Sequence, residues 1–196
     1  MASNPETGHK PGVREKAQLM SAEEIERSLT RLAYEILERN HGAAGVVLAG
    51  VRRRGAPLAE RLGRKISEIE RLNVPVAAFD ITFYRDDLST IDEKPVVKES
   101  VLPFPVEGRT VILVDDVLYT GRTTRAALDA LVDQGRPRRV ELCVLIDRGH
   151  RELPIQADYV GRHVQTSDLE VIEVRLSEID HEERVMLCER TDPASA

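Results

Sequence analysis

Val111-Ile112-Leu113-Val114-Asp115-Asp116-Val117-Leu118-Tyr119-Thr120-Gly121-Arg122-Thr123-Thr124 is the stretch that decides the fold. Its opening aliphatic residues read as a strand buried on both faces, as in parallel sheets sandwiched between helices. The run, with Thr110–Asp115 as the strand, delivers two adjacent carboxylates to its end. A hydroxyl- and amide-rich turn, Thr120–Thr124, then opens a helix over Arg122–Gln134, closed by Gly135 and Pro137. Arg139–Asp147 is a second aliphatic strand. Upstream, Val46-Val47-Leu48-Ala49 is a short apolar run between glycines, followed by a helix from Pro57 to about Arg71, with proline suited to a first helical position. Strand–helix–strand alternation of this kind predicts an α/β fold with a central, mostly parallel sheet flanked by helices.

Further outward, Ser21-Ala22-Glu23-Glu24 is a capping box at the head of a first helix. Ile25, Leu29, Leu32 and Ile36 recur at helical spacing behind it, and Gly42 is a plausible stop. Residues 1–19 are polar and aperiodic and predict a flexible tail. Val74–Tyr84 is β-rich; Asp158–Val160, Glu170–Leu176 and Arg184–Glu189 are shorter β-like stretches. Arg85–Gly108 has three prolines and no period, and is too long for an ordinary connector. It reads as an insertion or a mobile lid. The expected organisation is one domain over 20–190 with a second short tail at 191–196, and no internal repeat or low-complexity segment.

Composition narrows the function classes. The chain has 196 residues, 28 basic against 34 acidic, and a net charge of -6, so any nucleic-acid contact would need a local basic surface. No apolar run approaches the ~20 residues that span a bilayer, and the polar start lacks a secretory h-region. Two cysteines, Cys143 and Cys188, form no framework. A cytoplasmic protein without a membrane partner is expected.

Ligands of parallel sheets bind beyond the carboxyl ends of the strands. A turn at a helix N-terminus offers free N–H groups and partial positive charge, which suit a phosphate. Carboxylates just upstream accept hydrogen bonds from hydroxyls, and the two together describe a ribose 5-phosphate. The competing reading of Asp115-Asp116 is a strand-end pair that caps the next helix. Gly50-Val51-Arg52-Arg53-Arg54-Gly55-Ala56-Pro57 lies at another strand end; it is no P-loop, because Gly55 is not followed by Lys and Ser/Thr. Its three arginines suit a pyrophosphate, or else a solvated basic loop. Asp147-Arg148-Gly149-His150-Arg151-Glu152-Leu153-Pro154 follows the last long strand, and spacing alone gives His150 no general-base role.

Val111–Thr124 resembles the phosphoribosyl-pyrophosphate (PRPP) signature of the type I phosphoribosyltransferases. With Asp80–Leu88, Asp147–Pro154 and Ala157–Gly161, the chain from about Leu19 to Glu189 resembles the bacterial pyrimidine-operon attenuator/uracil phosphoribosyltransferase family. The resemblance implies the type I fold with a small hood and a mobile lid over 85–108. It implies uracil, PRPP, UMP and UTP as ligands, the leader mRNA of pyrimidine genes as partner, and a homo-oligomer, dimer or higher. Mg2+ would bridge the pyrophosphate oxygens, held by the substrate and not directly by the protein.

By the same resemblance, Asp115 and Asp116 bind the ribose hydroxyls and stabilise charge on the ribose ring. Val117, Leu118, Tyr119, Thr120, Gly121, Arg122, Thr123 and Thr124 hold the 5-phosphate. Arg53, Arg54, Gly55 and, at the lid base, Arg85 hold pyrophosphate. Arg148 and Ile172 line the uracil pocket. RNA would meet Arg27, Thr30, Arg31 and Tyr34 on the first helix, where Arg27, Arg31 and Tyr34 also fall opposite the apolar stripe. The family has a small or hydroxyl residue where Arg53 stands, His in place of Tyr34 and Arg in place of Gln156. The alternative is a phosphoribosyltransferase acting only in uracil or purine salvage, without RNA binding.

Overall fold

The structure, a computed structural model, describes residues 13–84 and 101–191. The chain runs β1 (Val13–Ser21), α1 (Ala22–Asn40), β2 (Val46–Val51), α2 (Gly55–Glu70), β3 (Val76–Phe79), a 3-10 turn at Thr82–Tyr84, β4 (Thr110–Leu118), α3 (Arg122–Val132), β5 (Arg139–Asp147), β6 (Tyr159–His163), β7 (Glu170–Arg175), α4 (Ser177–Asp180) and β8 (Arg184–Arg190). Five strands form the central sheet in the order β3-β2-β4-β5-β6, all parallel. β1, β8 and β7 form a separate antiparallel hood.

Period-two alternation divides the central strands between two cores. Leu48, Ile112, Val114 and Leu145 face α1 and α2, against Ile25, Leu29, Leu32, Ile36, Leu58, Leu62 and Ile66. Val47, Ala49, Val111, Leu113 and Val144 face the other way, against Ala126, Ala127, Ala130 and Leu131 of α3. Full burial of each large aliphatic contributes about 1.5–3 kcal/mol, so the two-sided cover, more than helix propensity, holds the sheet. The capping box forms as read: Ser21 Oγ accepts from the Glu24 amide at 3.3 Å, and Glu24 accepts from the Ser21 amide at 2.8 Å.

Three readings change. Val13–Ser21 is a strand paired to β8, so the last seven residues of the expected N-terminal tail are part of the hood. Mixed polarity hid it, because an edge strand in a solvent-facing hood shows little alternation. The β-rich Val74–Tyr84 divides into β3 and a 3-10 turn, in which Asp80 accepts from the Thr82 amide at 3.1 Å and its hydroxyl at 2.6 Å. Of the expected lid, 85–100 and with it Arg85 lie outside the described residues; within 101–108, Leu102 and Val106 are buried in the α3-side core. Both cysteines are buried and unpaired, and burial pushes the Cys143 thiol up to about 12.

Candidate active site

The chain leaves β2 toward β3 on one side and β4 toward β5 on the other, so the β2/β4 boundary is the sheet's topological switch point, where a crevice opens for a ligand. The register shows how. β2 pairs with β4 only as far as Gly50↔Val114, whereas β4 continues along β5 to Leu118↔Asp147. Asp115 and Asp116 therefore lie within the strand, not at its terminus, on a segment that β2 no longer covers. Asp115 is buried, with Oδ1 accepting from the Asp116 amide at 2.9 Å. Asp116 is half-buried. Desolvation pushes its carboxyl above the usual range, against the pull of Asp115, Arg54 and the Val117 amide. Neither carboxylate caps α3, whose N-cap is Gly121 and has no side-chain cap.

The chain that leaves β2 turns through Arg52–Arg54 and enters α2 at Gly55, two residues before the expected Pro57. A Cβ on Gly55 would collide with the Val114 carbonyl oxygen and lie 3.1 Å from Asp115 Cα. Only glycine lets the arginine turn sit directly on the strand that carries the acidic pair. Arg53 is exposed and makes no hydrogen bond among the described residues. Arg54 is held by Asp180 of the hood, Nη2 to Oδ1 at 2.7 Å and Nε to Oδ2 at 3.2 Å.

Val117–Thr124 encloses its own cavity of about 190 Å³. Gly121, at φ +93, is the left-handed residue that turns the chain into α3, and the cavity lies at that helix's N-terminus. The loop after β5 braces this turn. The amides of Glu152 and Leu153 donate to the Thr120 carbonyl at 3.0 and 3.2 Å, and Arg122 pairs with Glu152 at 2.6 Å. Arg151 reaches Asp147 at 2.6 Å, the Tyr119 carbonyl at 2.7 Å and the Ile155 carbonyl at 3.0 Å.

Arg148 is buried, unlike a typical loop arginine. Its guanidinium lies 4.0 Å from the centroid of the Tyr119 ring and donates to the Glu170 carbonyl at 2.7 Å and Thr166 Oγ1 at 3.1 Å. Burial lowers its pKa from the ordinary arginine value. Arg148 thus binds the phosphate turn to the hood strand that carries Ile172. His150 hydrogen-bonds the Thr166 carbonyl at 2.6 Å and sits 3.2 Å from Asp168.

The structure therefore gathers Arg54, Gly55, Asp115, Asp116 and Val117–Thr124 at the carboxyl edge of β2 and β4, with Arg148 stacked on Tyr119 beside them. The α1 residues lie elsewhere. Tyr34 is 57% exposed, and among the described residues Arg27 forms one ion pair, with Glu23 at 3.7 Å. Arg31, expected on the RNA face, pairs with Glu35 at 2.5 Å and donates to the Val160 and Gly161 carbonyls at 3.0 and 2.7 Å. Thr30 turns back on the Glu26 carbonyl at 2.9 Å. Arg27, Arg31 and Arg162 share a groove of about 290 Å³. Sequence reasoning missed Arg151, Arg162 and Asp180. Arg151 sat in a quoted motif without a role; the other two carry no local signal at all.

Residues 16–179 match the phosphoribosyl transferase domain family. The bifunctional protein PyrR of Pelotomaculum thermopropionicum is 60% identical over 179 residues, which cover 91% of this chain and 99% of that protein. Its counterpart in Thermus thermophilus is 57% identical over 178 residues, covering 91% and 98%. The chain belongs to the PyrR family of phosphoribosyltransferases. Membership agrees with the crevice, and the PyrR family fold extends to distant structures. The hypoxanthine phosphoribosyltransferase of Trypanosoma cruzi, solved at 1.4 Å, superposes with a TM-score of 0.69 over 90% of this chain and 98% of that one, at 18% identity, a likeness of fold alone. Among the described residues no helix is long and apolar enough to cross a membrane.

Proposed function

We propose that the chain transfers the phosphoribosyl group of PRPP to uracil, giving UMP and pyrophosphate, and that it attenuates pyrimidine genes by binding their leader mRNA in response to uridine nucleotides. One observation carries the enzymatic half: the acidic pair and the phosphate cavity are consecutive on one strand–turn, beneath an arginine turn that Gly55 seats on Val114 and Asp115. The amides and hydroxyls of Val117–Thr124 hold the 5-phosphate. Asp115 and Asp116 accept from the ribose hydroxyls, and their fixed negative charge stabilises the ribose ring as its bond to pyrophosphate breaks. Arg53, Arg54 and Gly55 take the leaving group, with Arg85 as a further cation. Uracil sits between the Arg148 loop and the hood near Ile172. Magnesium supplies charge neutralisation on the pyrophosphate oxygens when bound. The metal would be carried in by the substrate, with Asp115 and Asp116 turned to the ribose hydroxyls and not ligating it.

The protein is incubated with PRPP, magnesium and each free base. UMP from uracil is the expected product. No UMP, or IMP from hypoxanthine in its place, overturns the assignment.

For RNA, the α1 face of Arg27, Thr30, Arg31 and Tyr34 is supported by the open Tyr34 ring, able to stack on an unpaired base. The three-arginine groove beside it supplies the local basic surface that an acidic protein needs. Arg31 shapes this groove while Arg27 meets phosphate. The molecule works in the cytoplasm as a homo-oligomer, dimer or higher. Leader-RNA affinity should rise with UMP, because only a coupled pocket makes a sensor, and should fall in Arg27→Ala and Tyr34→Ala. Affinity unchanged by both variants removes this face; affinity indifferent to UMP leaves the salvage-only enzyme.

A further inference from the structure

Asp180 belongs to the four-residue helix of the hood, 126 positions from Arg54, and no sequence motif joins the two. Its carboxylate is fixed from two sides. Oδ2 accepts from the Leu176 amide at 3.0 Å, closing the α4 turn on itself, and Leu176 is fully buried. The same carboxylate takes the Nε and Nη2 edge of Arg54 in a fork at 3.2 and 2.7 Å. The two side chains are 24% and 20% exposed, so this is a partly desolvated, bidentate pair and not a loose surface contact. Hydrogen bonds from Arg54 and the Leu176 amide hold the Asp180 carboxyl below its ordinary range, although burial pushes the other way.

The opposite edge of the guanidinium is unused. Among the described residues Nη1 of Arg54 makes no hydrogen bond, and its charge is felt at Asp116. Arg54 is thus clamped on one edge and open on the other, toward the crevice. The clamp itself rests on a firm base: Arg61 of α2 pairs with Glu178 at 2.6 Å and with Glu183, pinning α4 to the helix that Arg54 begins.

We infer that Asp180 is a positioning residue for the pyrophosphate group. It holds Arg54 by the Nε/Nη2 edge and presents the remaining edge to the leaving group, so the hood takes part in PRPP binding at the pyrophosphate end. The inference rests on the transferase reading. An arginine has many rotamers, and a residue that fixes its head before the ligand arrives removes an ordering cost from binding. Because Arg54 meets the pyrophosphate already in bound PRPP, most of the loss should fall on the PRPP KM, with a smaller share on kcat as charge grows on the departing oxygen.

Two measurements test this. In initial-rate kinetics with uracil, PRPP and magnesium, Asp180→Asn should raise the PRPP KM about tenfold with kcat and the uracil KM within about threefold. In the Arg54→Gln background the same change should add nothing, because its partner is gone. An unchanged or lowered PRPP KM in Asp180→Asn, or a full tenfold addition in the double variant, overturns the inference. Titration calorimetry with magnesium pyrophosphate reads binding without turnover. Affinity there should fall several-fold in Asp180→Asn. It should fall likewise in Asp180→Glu, which keeps the charge if the Asn variant fails to fold but cannot meet Leu176 and Arg54 in the same register. Equal affinities overturn the inference. A wild type that binds pyrophosphate yet forms no UMP fails the transferase reading instead.

Discussion

Gly55→Ala sets local propensity against tertiary packing, and the two predict opposite signs. Gly55 is the first residue of α2, and its φ is not in the left-handed region. In a helix Ala is favoured over Gly by up to about 1 kcal/mol, so propensity alone predicts a more stable protein. The structure predicts the reverse. The added Cβ collides with the Val114 carbonyl oxygen and sits 3.1 Å from both the Val114 carbonyl carbon and Asp115 Cα, where carbon atoms are comfortable at about 3.5–4.0 Å. All three atoms are backbone of β4, which is paired to β2 and β5 and cannot yield. The start of α2 must lift instead, by roughly 0.5–1 Å, carrying Arg53 and Arg54 off the acidic pair. Overpacking of this kind costs about 1–3 kcal/mol, so the net loss after propensity is up to about 2 kcal/mol. A displacement approaching 1 Å in a catalytic array can lower activity about 100-fold. Urea unfolding and kcat/KM for PRPP read the two effects separately. An Ala variant as stable as wild type, with kcat/KM within threefold, would refute the claim that this contact seats the pyrophosphate turn.

Asp115→Asn with Asp116→Asn should lower kcat at least 100-fold while the protein still folds, since each lost charge contact costs on the order of a few kcal/mol in the transition state; near-normal turnover contradicts the assignment. Asp116→Asn alone should stabilise the fold. A carboxyl whose pKa is raised by burial favours folding below its unfolded pKa of about 3.9 and loses that contribution as pH rises through the folded value. The melting-temperature gain should therefore be present at pH 7–8 and vanish below about pH 4; the opposite trend refutes the desolvated charge. Tyr159→Phe should cost about 1–2 kcal/mol and leave kcat unchanged. The Tyr159 hydroxyl donates to the buried Glu141 at 2.6 Å, and Asn40 and Arg139 still reach that carboxylate at 2.9 and 3.1 Å. A loss of kcat would show that this network communicates with the crevice.

How much was legible follows from what each feature depends on. The capping box, the α1 stripe and β5 were readable because their causes lie within a few residues: reciprocal caps, a 3.6-residue period and an unbroken aliphatic run. Gly121 was readable as part of a turn, and its φ of +93 gives the reason. β1 was not readable, since an edge strand takes its stability from β8, some 170 positions away, and of its own side chains only Met20 is buried. The partners of Arg31 and Arg148 were hidden for a similar reason. A guanidinium looks identical in sequence whether it faces solvent or donates to carbonyls of a distant strand, and these two donate to β6 and to the hood.

Sequence by itself determined that a buried strand carries paired carboxylates and leads into a phosphate-type turn, because that segment is contiguous and its chemistry is local. Tertiary structure alone decided that β2 stops pairing at Val114, so that the segment with those carboxylates has no β2 neighbour. It alone decided that Gly55 lets the arginine turn press on them, and that Asp180 reaches across from the hood to hold Arg54. These are contacts between segments whose separation along the chain carries no periodic or compositional trace; only the crossovers of the sheet and the packing of the hood bring them within reach.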